Sequence, residues 1–259
     1  MSLRTVHVTR YVAPLREGGS LPAIVEADDD GVYVLKFRGA GQGPKVLIAE
    51  LVVGELARAI GLPVPELVFA HLDPVLARTE PDPEIQDLIR ASGGLNLAMD
   101  YLPGSLGFDP IADRVDPDLA ASIAWFDAYV SNMDRTARNT NLLTWHRRLW
   151  MIDHGAALYV HHGDTEFAGR SGERFPMIRN HVLLPFAEPL ARIGPQIAAR
   201  VTPDLVERVT GLIPPDWLAG DDPAAHERQR RVYAEYLLAR LEPPTAFFEE
   251  AIRARDASV

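Results

Sequence analysis

Two short segments carry the residue types with the most chemistry in this chain. The first is Asn132-Met133-Asp134-Arg135-Thr136-Ala137-Arg138-Asn139-Thr140-Asn141-Leu142-Leu143, and the second is Trp150-Met151-Ile152-Asp153-His154-Gly155. The first sets an Asp five positions before an Asn; the second sets Asp-X-Gly at the end of an apolar run. Phosphoryl transfer from a nucleotide uses one carboxylate to orient the attacking hydroxyl. It also uses an amide oxygen and a second carboxylate to hold a divalent ion on the phosphates. Asp and Asn oxygens are hard donors and suit Mg²⁺. The expectation is that Asp134 acts on the acceptor, that Asn139 and Asp153 hold the metal, and that a hairpin between the segments brings the three together.

Each half alone is weak. Asp-x4-Asn recurs by chance, and Asp-X-Gly is a common turn. Their order and spacing gain weight from Lys36, at the end of the β-rich run Val32-Tyr33-Val34-Leu35-Lys36-Phe37, and from Glu50 in a helical stretch. A strand Lys paired with a helix Glu positions nucleotide phosphates. Glu55 competes on the same helix, and Glu50 is preferred because it lies nearer the apolar face. A phosphate cover before that strand would be Gly18 and Gly19, where a plain hairpin turn explains the glycines equally well. Met99, Tyr101 and Leu102 offer an apolar surface for an adenine-type ring, or a plain core strand. Gly39-Ala40-Gly41-Gln42-Gly43-Pro44-Lys45 lacks the Gly-Lys-Ser/Thr ending of a Walker loop and reads as a flexible connection.

The elements that must position these residues follow from periodicity. Residues 5–12 and 22–38 read as strands with a turn at Asp28-Asp29-Asp30-Gly31. Residues 44–60 read as a helix ending at Gly61, residues 66–70 and 95–102 as strands, and 84–90 as a short helix. Asp116 caps a helix opened by Pro117, with Ile123, Phe126, Val130 and Met133 as its apolar stripe and Asp134 at its end. From about residue 176 the chain reads as helices over 181–200, 203–213, 223–240 and 243–255. The expected fold is α+β: a small β-rich N-lobe over 1–102, a break at Pro103-Gly104-Ser105, and a mostly helical C-lobe over 103–259, with the cleft between them as the ligand site.

Bulk composition narrows the classes. The chain has 259 residues, enough for one large domain or two lobes. A net charge of −10 disfavours nucleic acid as a partner, and the absence of cysteine excludes disulfides and a thiol nucleophile. No signal peptide or membrane span is read, and a cytoplasmic location is expected. His161-His162 reads as loop rather than a metal site, because adjacent side chains of extended chain point apart. Thr165 and Ser171 lie where an activation segment would fall. Arg135 and Arg138 read as extra cations near the loop, or as partners of surface carboxylates.

At the level of Tyr33–Phe37, Ile48-Ala49-Glu50, Ala59-Ile60-Gly61-Leu62-Pro63-Val64-Pro65-Glu66, Asn132–Asn139 and Met151-Ile152-Asp153, the chain resembles the HipA family of kinases. Its Asp-Arg-X-X-X-Asn stretch is also similar to the catalytic loop of phosphoinositide kinases. The resemblance implies a bilobal protein-kinase-like fold that uses ATP and Mg²⁺. Asp134 is then the catalytic base, Asn139 and Asp153 the metal ligands, Lys36 the phosphate cation and Glu50 its pair. The acceptor it implies is a protein Ser/Thr hydroxyl. A lipid or small-metabolite kinase, or a nucleotide-binding pseudokinase scaffold, keeps the same fold. Thr136 stands where many relatives have His, and Asp-His-Gly replaces Asp-Phe-Gly. Full-length HipA proteins carry an extra N-terminal segment, and the expectation here is a shorter chain without it.

Overall fold

The computed structural model describes residues 3–15, 21–41, 43–163 and 166–258. The first strands bury alternate side chains, as the two-residue period of a strand requires. β1 (Thr5–Pro14) turns Val6 and Val8 inward, β2 (Ala23–Ala27) turns Ala23, Val25 and Ala27, and β3 (Val32–Lys36) turns Tyr33 and Leu35. Asp30, at φ 61, makes the tight turn between β2 and β3. β4 (Leu67–Leu72) and β5 (Gly94–Asp100) complete a closed barrel in the order β1-β2-β3-β5-β4. The β1–β4 pair is parallel and the others antiparallel, so the barrel has no unpaired edge.

α1 (Pro44–Ala59) opens with Pro at its first turn and ends before Gly61, at φ 91. Every residue from Leu47 to Ala57 is buried. A helix buried on all sides is a core element rather than a surface one. α2 (Pro83–Ala91), capped by Asp82, buries Ile85 and Ile89 in the barrel's apolar cluster. β6 (Leu106–Gly107) leads to α3 (Pro117–Tyr129), whose cap Asp116 accepts the Leu119 N–H at 3.0 Å. β7 (Leu142–Trp145) pairs with both β6 and β8 (Arg148–Met151), antiparallel, in a three-stranded sheet of order β6-β7-β8. His146 and Arg147, at φ 47 and 62, form the two-residue hairpin turn that β-twist favours. The remaining helices are α4 (Leu190–Ala198), α5 (Pro203–Thr210), α6 (Pro223–Arg240) and α7 (Ala246–Asp256).

Three expectations change. α3 ends at Tyr129, so it does not deliver Asp134 itself: Ser131 is left-handed at φ 54, and the chain leaves the helix there. The apolar stripe was too narrow, because α3 is buried throughout from Ala120 to Tyr129, while Met133 is 40% exposed. The helix over 181–200 is a short 3-10 turn (Leu184–Phe186) followed by α4. Pro185 and Pro189 supply no N–H to continue a ladder between them.

The larger apolar cluster joins α1, α3 and the C-terminal helices, with Trp125 stacked on Tyr129 at 5.3 Å and edge-on to Phe247. The helical part grips the barrel directly. Trp217 donates its indole N–H to Leu95 O at 3.1 Å and meets Phe69 edge-on, and β8 is tied to the segment between α1 and β4 by Met151 N–H to Pro63 O at 2.7 Å. No helix among the described residues is long and apolar enough to cross a membrane.

The α3 cap is the most accessible test of this frame. Asp116→Ala should cost about 1 kcal/mol in urea unfolding, and Asp116→Ser should recover most of it. Equal loss in both variants would show that the cap is not what starts α3.

Candidate active site

Three side chains from distant parts of the chain meet at the mouth of the barrel. Lys36, last in β3, puts its ammonium 2.6 Å from Asp153 Oδ1 and 3.6 Å from Glu50 Oε2. Lys36 and Glu50 are buried, at 6% and 1% exposure, whereas the Asp153 side chain is 39% exposed. Glu55 is committed elsewhere, to Arg58 at 2.7 Å. Burial alone would lower the Lys36 pKa; the charges of Glu50 and Asp153 reverse this and push it up to about 12. Burial opposes ionisation of Asp153 too, but the Lys36 charge and hydrogen bond hold its carboxyl below the usual range. Burial, with the Asp153 charge adding to it, pushes the Glu50 carboxyl up against the opposing pull of the Lys36 ammonium, the His154 backbone N–H and the Arg135 charge.

Two glycines let α1 come this close. A Cβ on Gly155 would sit 2.6 Å from Val46 Cγ1, and one on Gly54 would sit 2.7 Å from Leu67 Cδ1. Asp153 is left-handed at φ 54, and so is Asn141 at φ 47. Non-glycine residues in that region cost on the order of 1–3 kcal/mol and persist where the surroundings over-determine them.

The β7–β8 hairpin folds Asp134 toward this group. Asp134 is half-buried, and its Oδ2 accepts Asn139 Nδ2 at 2.8 Å and Asn141 Nδ2 at 3.3 Å. Asn139 is exposed, and donating its amide N–H leaves its carbonyl oxygen available to a metal. Asn141 is a partner of Asp134 that the Asp-x4-Asn spacing did not single out. The donor set of Asp153 and Asn139 oxygens fits a hard divalent cation. Among the described residues no trio of His, Cys, Asp or Glu gathers as a separate metal site.

Behind the loop lies an ionic network that sequence reasoning missed. Arg135, read as an extra cation near the loop or a partner of surface carboxylates, is 1% exposed. Its Nε donates to Asp127 Oδ2 at 2.6 Å, its Nη1 to the carbonyls of Asn141 and Ile152, and its Nη2 lies 3.3 Å from His154 Nδ1. Asp127, on α3, also accepts Asn132 Nδ2 at 3.0 Å and His181 Nε2 at 2.8 Å. Burial would raise the Asp127 pKa; the Arg135 charge, then the His181 hydrogen bond, drive it far below the carboxylate range. Burial, then the Arg135 charge, lower His154 to about 3. A charged residue inside an otherwise apolar helix run (Trp125-Phe126-Asp127-Ala128) was the available signal for Asp127.

The other expected residues fall as follows. Gly18, Gly19 and Thr165 lie outside the described residues. Met99 and Leu102 are buried at 5% and Tyr101 half-buried, on β5 and just after it. The backbone N–H groups of Asp100 and Tyr101 go to Glu66 O and Val32 O. His161 and His162 do not point apart: they sit in a 3-10 turn with Nε2 atoms 3.2 Å apart, and His161 Nδ1 meets Tyr233 OH at 3.1 Å. Gly43, at φ 70, leads into α1, and Lys45 in the first turn bonds His161 O.

A closed barrel whose buried Lys36–Glu50 pair meets Asp153, together with a loop on which Asn139 donates to Asp134, carries the residue types that the kinase class of phosphotransferase uses. The chain belongs to the HipA-like kinase family, whose model matches residues 8–247. The crystal structure of the Helicobacter pylori proinflammatory kinase CtkA shares the fold, at TM-score 0.53 and 11% identity, over 98% of this chain and 99% of that one. The crystal structure of the Golgi casein kinase with Mn/ADP bound aligns at TM-score 0.47 and 13% identity, over 93% and 73% of the two chains. No curated protein matches the sequence.

Asp127→Asn should destabilise the protein by about 3–5 kcal/mol at neutral pH, because it leaves Arg135 buried beside a neutral amide. The Asp127 pKa is depressed on folding, so its contribution is full above the unfolded value of about 4 and fades as pH falls below it. The gap between wild type and variant in urea unfolding should therefore shrink on acidification. A gap that widens below pH 4 would contradict the assignment.

Proposed function

We propose that the protein is an ATP- and Mg²⁺-dependent kinase of bilobal form, with residues 1–102 and 103–259 as its lobes and a protein Ser or Thr hydroxyl as acceptor. The observation that carries the reading is the meeting of Lys36, Glu50 and Asp153, which come from β3, α1 and the end of the β7–β8 hairpin. Lys36 would bind phosphate oxygens, and Glu50 would hold the ammonium in place. Asp153 and the Asn139 carbonyl oxygen would hold the metal, which supplies charge neutralisation on the phosphates when bound. Asp134 would accept the hydrogen bond of the attacking hydroxyl and orient it. Its bonds to the Asn139 and Asn141 amides set the carboxylate plane beforehand. Met99, Tyr101 and Leu102 would form the apolar wall for the base.

The protein acceptor is supported by the openness of the loop. Met133, Ala137, Arg138 and Asn139 are all exposed around Asp134. A small metabolite calls for an enclosing pocket, whereas a large acceptor needs this approach.

ATP should stabilise the protein only together with a divalent ion, by about 2.7 kcal/mol at a concentration 100 times Kd. Asp153→Ala should abolish that metal-dependent gain, and Asp134→Ala should keep it while losing phosphate transfer. A thermal shift indifferent to Mg·ATP in the wild type would overturn the kinase reading. The opposite behaviour of the two variants would exchange the two carboxylate roles.

A further inference from the structure

His154 occupies the middle of Asp-His-Gly and is fully buried. Its Nδ1 lies 3.3 Å from Arg135 Nη2. A guanidinium only donates, so Nδ1 is the acceptor, and the neutral ring carries its proton on Nε2. That Nε2–H has no hydrogen-bond partner among the described residues. A buried orphan donor is costly, and a phenyl ring of similar size would avoid it. The phenyl ring would, however, leave Arg135 Nη2 without its acceptor. The same residue touches α1 from the other side. A Cβ on Gly54 would lie 3.7 Å from His154 Cδ2, and the His154 backbone N–H faces the Glu50 carboxylate. Arg135 Nη1 holds both the carbonyl of Asn141, after the Asp134 loop, and that of Ile152, directly before Asp153.

We infer that His154 is a positioning residue: its imidazole ties Asp153 and the α1 Glu50 to Arg135, so that the metal carboxylate, the Lys36 clamp and the Asp134 loop hold one mutual geometry. It touches no reacting atom. Asp153 follows from it along the backbone, because the left-handed Asp153 is fixed between the Ile152 carbonyl on Arg135 and the His154 ring on Arg135. The inference rests on the kinase reading for its consequence in catalysis, but the hydrogen bond itself is independent of that reading.

The test uses the full chain with His154→Phe, which keeps the ring shape without the acceptor, and His154→Asn, whose carboxamide oxygen can take the place of Nδ1. In the free wild-type protein, nitrogen NMR of His154 should show the Nε2–H tautomer, and backbone hydrogen exchange over 151–155 should be slow. His154→Phe should speed that exchange and weaken Mn²⁺ binding in the presence of ADP by about 10-fold or more, the cost usual for losing a partner behind a metal ligand. It should raise the KM for metal more than the KM for ATP. His154→Asn should restore slow exchange and most of the metal affinity. Loss of both properties in Phe and Asn variants alike, in step with melting temperature, would mean a merely structural ring and overturn the inference. An Nδ1–H tautomer, or unchanged exchange in His154→Phe, would overturn it too. If the wild type binds no Mg·ATP, the kinase reading fails on its own, and the tautomer and exchange results still decide the hydrogen-bond link.

Discussion

The structure depends on one buried guanidinium. Arg135 lies between helix α3, the Asp134 loop and the segment that follows β8: its Nε goes to Asp127 on α3, its Nη1 to the carbonyls of both Asn141 and Ile152, and its Nη2 to the His154 ring. A charge at 1% exposure is tolerable only with a counter-charge and full hydrogen bonding, and Asp127 supplies the first. That requirement runs outward. Asp127 must be ionised, so His181 and Asn132 turn their N–H groups to it. His181 draws its own segment against the loop, where its backbone bridges Thr136. The loop therefore has a fixed floor, and Asp134 stands on it with its carboxylate held by two asparagine amides.

The second constraint is the burial of α1. Because this helix is enclosed from Leu47 to Ala57, Glu50 cannot swing to solvent, and Lys36 has a stationary negative partner. The ammonium thus sits between one immobile carboxylate and one half-exposed carboxylate. A metal would compete for the exposed one and phosphate for the ammonium, so exchange of partners needs no movement of the barrel. Gly54 and Gly155 are the two places where the backbone yields room for this packing.

Much of this was legible from residue order. The strands, α1, the α3 cap and the hairpin follow from period-2 alternation, from apolar residues three to four apart, and from turn chemistry around Pro117 and Gly61. The meeting of Lys36 with Glu50 and Asp153, and that of Asn139 with Asp134, was read from spacing and resemblance. What was illegible needed three dimensions. Arg135 looks like any loop arginine until Asp127 is found on the face of α3 turned toward it. The end of α3 was misjudged because Ser131 adopts a left-handed conformation that no local residue pattern announces. The two histidines at 161 and 162 were judged by extended geometry, whereas a 3-10 turn brings their rings together. Asn141 escaped notice because its role depends on a left-handed backbone at the start of β7, not on its distance from Asp134 in the chain.

The most direct measurement is a crystal structure of the protein with Mn²⁺ and a non-hydrolysable ATP analogue, with the metal located by anomalous scattering. The account predicts the metal on Asp153 and the Asn139 carbonyl oxygen, Lys36 turned from Asp153 to a phosphate oxygen but still beside Glu50, and Asp134 free of the metal. A nucleotide bound away from Lys36, or a metal held without Asp153, would contradict it.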